Sequence, residues 1–244
     1  SPLTASGLDI AAGEQLTLNL NRQVNSPRKW SAEHPNLYTL VFRLVGPDGE
    51  TAEILSDRIG FRETTIKDSQ ILVNGKAIKF NGVNRHPQDP LLGRAVPRQH
   101  MLKDVKLMKR FNIKAVRTSH YPPDPDFLDL ADEYGLYIID ESNQEASPNS
   151  LSKDKAWRKA FVEREITKIE RDKNHPSIVM WSAGNEGGSG QNVAAMIEAG
   201  RKLDDTRCGW MYGGNAGRLD FEDIIGPRYP TPDSLKNVAH SSGD

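Results

Sequence analysis

The chain of 244 residues is short of several things, and each shortage excludes something. It has one cysteine, Cys208, so it can form neither an internal disulfide nor a thiolate zinc cage, which fits a reducing compartment and a cytoplasmic location. No run approaches the roughly 20 apolar residues of a membrane span, and Ser1-Pro2-Leu3-Thr4 lacks a signal-peptide pattern. The first residue is not Met, so the ends are expected to be boundaries set within a longer polypeptide. Neither sign of charge dominates. Thirty-two Lys and Arg against 33 Asp and Glu leave a net charge of −1, so there is no basic field to draw nucleic acid or anionic membrane. What is present is ordinary for a globular protein: 36% hydrophobic and 27% charged residues, enough to bury a core.

Residues 1 to about 60 read as all-β. Leu16, Leu18 and Leu20 alternate on one face, and Tyr38, Leu40, Phe42 and Leu44 do the same further on, so both runs predict strands. Pro47-Asp48-Gly49 supplies turn chemistry and Thr51 to Asp57 returns as a partner, which makes a hairpin. About three strands are half of a sandwich at best, so this segment is expected to lean on something else.

Past Gly60-Phe61-Arg62-Glu63 the pattern changes, and a hairpin at Asn74-Gly75 leads into alternating short apolar runs and helical periods. Strands are expected at 77–82, 114–118, 136–140, 178–181, 209–212 and 223–225. Helices are expected over 98–111, with Met101, Val105 and Met108 on one side, and over 126–134, 157–172 and 193–203. In the third helix Val162, Ile166 and Ile169 form the predicted inward stripe. Single strands separated by single helices fit a (β/α) barrel or a doubly wound sheet. The barrel is favoured because polar residues follow several strands instead of one switch point, and because no glycine-rich phosphate loop follows the first strand. From Ala77 onward 168 residues remain against the ~250 of an eight-unit barrel, so the barrel is expected to be incomplete.

Four strand ends carry chemistry. Trp181-Ser182-Ala183-Gly184-Asn185-Glu186-Gly187-Gly188 runs an apolar strand straight into Asn-Glu, which is expected to place a carboxylate at the barrel mouth in a partly desolvated setting suited to a general acid. Most loop glutamates are caps or solvated acids, but the apolar strand and adjacent glycines favour function here. Arg117-Thr118-Ser119-His120-Tyr121-Pro122 follows the second strand, where an Arg paired with a structural carboxylate and a His packed on Tyr is an equally good account. Asp140-Glu141-Ser142-Asn143-Gln144-Glu145 follows the third, an acid cluster that either binds a cation or pairs with Arg117. Asn84-Arg85-His86-Pro87 ends the first.

Taken in order and spacing, Gly60-Phe61-Arg62-Glu63, Asn74-Gly75-Lys76, Gly82-Val83-Asn84-Arg85-His86, Arg117-Thr118-Ser119-His120-Tyr121-Pro122, Tyr134-Gly135-Leu136-Tyr137, Asp140-Glu141, Arg171-Asp172-Lys173-Asn174-His175-Pro176-Ser177 and Gly184-Asn185-Glu186 resemble the β-galactosidase branch of glycoside hydrolase family 2. The resemblance covers nearly the whole chain. It implies the C-terminal part of an immunoglobulin-like β-sandwich over 1–62, followed by a partial (β/α)8 TIM barrel over 63–244.

It also implies a retaining glycosidase with two carboxylates about 5 to 5.5 Å apart, acting on terminal β-galactosides. Glu186 matches the acid/base, and Asn185 the residue that hydrogen-bonds the sugar 2-hydroxyl. His86 and His120 match histidines of the galactose site, Arg117 an arginine near the nucleophile, and Tyr229 a tyrosine that contacts it. Glu145 and Glu186 match shared magnesium ligands, but the usual His ligand position is Ser147, a poorer donor, so the metal is expected to bind weakly, through water, or not at all. The family nucleophile is a Glu ending a seventh strand, and neither Glu198 nor Glu222 replaces it, so the chain alone is expected to be inactive. The parent is expected to be a homo-oligomer and the isolated chain to self-associate through open strand edges. Rival readings are a non-catalytic carbohydrate-binding or interaction module, and a β-glucuronidase or β-mannosidase relative.

Overall fold

The computed structural model describes residues 2–145, 148–215, 220–227 and 229–241. Three sheets follow one another along the chain. A hairpin pairs β1 (Tyr38–Val45) with β2 (Thr51–Ile59); a three-stranded sheet joins β3 (Thr64–Lys67), β4 (Gln70–Val73) and β5 (Lys76–Ala77); and a six-stranded parallel sheet runs in the order β11-β10-β9-β8-β7-β6. Its strands are β6 (Gly82–Arg85), β7 (Ala115–Thr118), β8 (Tyr137–Glu141), β9 (Ile178–Asn185), β10 (Trp210–Asn215) and β11 (Ile224–Pro227). The helices α1 (Arg98–Arg110), α2 (Pro125–Tyr134), α3 (Asn149–Lys153), α4 (Arg158–Asp172), α5 (Gln191–Leu203) and α6 (Pro232–Ser241) lie between or after them. Sequential neighbours in the sheet, joined by helical crossovers from β6 to β10, make this a curled part of a TIM barrel.

Sequence and structure agree closely through the βα units. In α1 Met101, Val105 and Met108 are the buried positions, and Asp124 caps α2 by accepting from Asp126 N at 2.9 Å. The Asn74-Gly75 hairpin has both residues at positive φ, 52° and 77°, the type I′ conformation this dipeptide favours.

Three expectations need correction. Leu16, Leu18 and Leu20 form no strand: the segment lies in none of the sheets and its leucines are about half exposed. Alternation provides a face, but a strand also needs a neighbour to take its hydrogen bonds. The first barrel strand is Gly82–Arg85, not 77–82, because Ala77 closes the preceding hairpin against Leu72. In α4 the buried positions are Phe161, Glu165, Lys168, Ile169 and Asp172, while Val162 and Ile166 are only half-buried. An ion pair between Lys168 Nζ and Glu165 Oε1 at 2.7 Å lets polar residues take the inward face. Ser142 Oγ donates to Glu165, and Lys168 donates to the carbonyl of Ser182 at 3.0 Å.

Two cores sandwich the sheet. The larger lies between strands and helices and includes Val116, Ile138, Phe127, Trp181 and Tyr212. The smaller plugs the N-terminal ends of the strands, where Trp30 packs with Ala115, Tyr137 and Val179. Trp30 Nε1 donates to the Asp132 carbonyl at 2.9 Å, and Arg62 donates to the carbonyls of Pro176 and Ile178 at 2.9 and 2.7 Å. The opposite, C-terminal strand ends are left for the site.

Candidate active site

Strand geometry selects which residues face inward. Side chains alternate, so residues paired in register between parallel neighbours share a face. Asn84 pairs with Arg117, Arg117 with Ile139, Glu141 with Ser182, and Asn185 with Gly213. These positions line the concave side of the sheet near its C-terminal end.

At the centre of that row Glu141 is fully buried and surrounded by donors. Arg117 Nε donates to Oε2 at 2.6 Å, Ser182 Oγ to the same oxygen at 2.6 Å, and His120 Nδ1 to Oε1 at 2.5 Å. Of the two roles open to the acid cluster, pairing with Arg117 is the one observed for this carboxylate. Its neighbour Asp140 points to the other face, where Thr118 Oγ1 donates to it at 3.2 Å and burial pushes its carboxyl pKa well up, with Lys168 opposing.

Arg117 reaches further. Its Nη2 donates to Asn185 Oδ1 at 2.9 Å, which turns the amide so that Nδ2 faces Glu145 Oε1, 3.4 Å away. Two glycines make this packing possible. A Cβ on Gly184, at φ 140°, would collide with the Gln144 carbonyl, whose oxygen accepts from Asn185 N at 2.7 Å. A Cβ on Gly213 would fall on Arg117 Nη2 and lie 2.9 Å from Asn185 Oδ1.

Directly after Asn185 the chain turns at Glu186, which has a positive φ of 52°. That region is costly for a residue with a Cβ and is held here from both sides. Glu186 N donates to the Gly213 carbonyl at 3.0 Å, and Gly187 N donates to Tyr212 Oη at 2.7 Å. Burial pushes the Tyr212 phenol upward, reinforced by the surrounding Glu141, Glu145 and Glu186 carboxylates.

Glu186, Asn185, Arg117, His120 and Tyr229 all line one cavity of about 520 Å³. Tyr229 stands at its rim, 85% exposed. His86 is exposed and outside the lining, but its ring meets that of His120 edge-on with centroids 5.2 Å apart, and its Nδ1 lies 3.2 Å from Tyr121 Oη. Arg94 stacks on the Tyr121 ring at 4.1 Å. Glu145 lies behind Asn185 and 3.8 Å from His120 Nδ1. Sequence reasoning missed Ser182 and Tyr212: Ser182 shares a face with Glu141 only through the register between β8 and β9, which the sequence alone does not record.

A magnesium ion at Glu145 and Glu186 would keep several of its waters, since such ions are commonly held by one or two carboxylates. Among the described residues no third His, Cys, Asp or Glu joins Glu145 and Glu186 in a cluster tight enough for an ion, and Ser147 lies outside the described residues. The grouping that is tight enough, Asp129, Asp132 and His175, is at the plugged end of the sheet, where Asp132 already accepts from His175 Nδ1 at 2.6 Å and Ser177 N at 2.9 Å.

Comparison with known proteins converges on one family. Residues 64–237 match the family model described as Glycosyl hydrolases family 2, TIM barrel domain, and residues 4–62 match Glycosyl hydrolases family 2. The chain is 41% identical to a β-galactosidase of Photobacterium profundum over 84% of its own length and 20% of the relative's. It is 40% identical to a β-galactosidase of Priestia megaterium, over 95% of this chain and 24% of that one. Among solved structures it is similar to a β-glycosidase from Bacteroides vulgatus, with a TM-score of 0.75, 29% identity, and coverage of 88% of this chain and 28% of the other. A β-D-glucuronidase from Dictyoglomus thermophilum gives 0.71 and 30%, with coverage of 79% and 35%. The chain spans only 20% and 24% of the two curated relatives.

Proposed function

The chain belongs to glycosyl hydrolases family 2, and from that premise we propose that it carries the acid/base half of a retaining β-galactosidase site. The observation that carries this reading is the cavity shared by Glu186, Asn185, Arg117 and His120 at the C-terminal ends of the parallel strands.

In this reading a terminal galactosyl unit occupies the cavity. Glu186 gives its proton to the glycosidic oxygen as the bond to the aglycone breaks, a second carboxylate attacks the anomeric carbon, and Glu186 then takes a proton from the water that releases the sugar. Asn185 Nδ2 donates to the 2-hydroxyl, a contact that tightens as positive charge develops on the ring. The second carboxylate is not Glu198, which is exposed in α5 and paired with Lys202, nor Glu222, which is buried ahead of β11. In this reading the 244-residue chain by itself has negligible turnover. Its outermost strands, β6 and β11, favour self-association.

Chromogenic β-galactosides and β-glucuronides, offered to the chain and to a polypeptide extended through a following strand ending in Glu, test the proposal. Galactoside hydrolysis by the extended form, lowered at least about 10²-fold at turnover by Glu186→Gln, is expected. An extended form inactive on every glycoside leaves a carbohydrate-binding module instead, and a preference for glucuronides overturns the substrate assignment.

A further inference from the structure

Beneath the cavity, and outside its lining, Glu141 gathers the groups that form the cavity wall. It is a fully buried carboxylate with four nitrogen and oxygen donors directed at it: Arg117 Nε and Nη2, His120 Nδ1 and Ser182 Oγ. A carboxylate so buried persists because it is compensated. The compensation determines more than its own solvation, because three of those donors belong to two side chains, Arg117 and His120, that line the cavity.

Each donor has a consequence above it. A carboxylate only accepts, so the His120 nitrogen facing Glu141 carries the proton and Nε2 is the ring nitrogen left for the cavity. Arg117 is tied through Nε, and its Nη2 spans from Glu141 Oε2, at 2.5 Å, to Asn185 Oδ1, at 2.9 Å. That second bond settles which end of the Asn185 amide is the acceptor and which the donor, and of the two Nδ2 hydrogens one faces Glu145 and the other is left for the cavity. We infer that Glu141 is a positioning residue of the sugar site, which through Arg117 and His120 presents the Asn185 amide donor and the His120 Nε2 to the sugar hydroxyls. The inference rests on the glycosidase reading and adds to it a residue that never touches substrate.

A purely structural Glu141 would cost stability and lower the rate by the same factor whatever stands at position 185. A positioning Glu141 loses much of its effect once the group it positions is gone, and a double-mutant cycle separates the two. In the full-length polypeptide that carries this chain, Glu141→Gln keeps the shape but turns an amide N–H toward a ring of donors. Its kcat/KM should fall about 10²- to 10³-fold with Asn185 present and at least ~10-fold less in an Asn185→Ala background. The fall should appear mainly in kcat, and 2-deoxygalactosides should register less of it. If Glu141→Gln does not fold, Ser182→Ala removes a single donor outside the cavity lining and should show the same non-additivity with a smaller loss. Equal losses in both backgrounds overturn the positioning role while leaving the glycosidase reading in place. A wild type inactive on every glycoside overturns both.

Discussion

Gly213 stands where a side chain would occupy the place of the Arg117 guanidinium: a Cβ there would fall on Nη2, the nitrogen that donates to Asn185 Oδ1. Residue 213 pairs in register with Asn185, so the bare backbone of β10 opposes the end of β9 that carries Asn185 and leads into Glu186. Gly213→Ala tests what that space is for. Its backbone is outside the left-handed region, but the obstructing nitrogen is held by Glu141 and Asn185, so folding should cost about 1–3 kcal/mol. Activity should fall about 10²-fold, because Arg117 stays tied to Glu141 and is pushed from Asn185. An unchanged kcat/KM would show that the Arg117–Asn185 bond is unimportant.

His175 gives a pH prediction. Burial pulls its pKa down, but the hydrogen bond to Asp132 and the charges of Asp132, Asp129 and Asp172 outweigh that and raise it above 6.5. A histidine with a raised folded-state pKa stabilises fully below its unfolded pKa, and the contribution disappears as pH rises through the folded value. His175→Ala should therefore destabilise by about 1–3 kcal/mol at pH 6 and by less at pH 9, read from urea midpoints. A penalty that grows with pH would contradict the assigned pair.

Trp30 couples the segment before the barrel to the strand ends away from the site. It is fully buried, lies edge-on to Tyr137 at 5.9 Å and donates to the Asp132 carbonyl. Trp30→Ala should cost about 3–5 kcal/mol in denaturant unfolding. In an active extended form kcat should hold at temperatures where the variant is folded. A large fall in kcat with intact folding would mean that the plug shapes the site.

Metal dependence should be slight. With Glu145 and Glu186 lacking a third described carboxylate or imidazole, EDTA treatment of the extended form should change kcat/KM less than about tenfold. A loss of several hundredfold, restored by magnesium, would show that a fuller ligand set assembles.

Where backbone and side-chain signals coincide, the sequence was readable. Met101, Val105 and Met108 recur at helical spacing and are buried together in α1, and Asn74-Gly75 turns as its chemistry demands. Leu16, Leu18 and Leu20 misled because alternation says nothing about whether a neighbour exists. The inward face of α4 was hidden for the opposite reason: Glu165 and Lys168 look like solvent-facing charges until Ser142 and the Ser182 carbonyl satisfy them. At the site, the strand ends announced Arg117, Asn185 and Glu186, whereas the convergence on Glu141 depends on register between strands about 20 to 40 residues apart, which no local pattern records.

The most direct measurement concerns the proton that Glu186 supplies. In an active extended form, Glu186→Ala should lose about 10²- to 10⁴-fold on an alkyl β-galactoside, whose poor leaving group needs protonation, and far less in sugar–enzyme bond formation from a dinitrophenyl galactoside. Added azide should accelerate the variant and yield β-galactosyl azide, because a small anion can enter where the general base was and needs no deprotonation. Losses equal for both leaving groups, with no azide adduct, would contradict an acid/base role for Glu186.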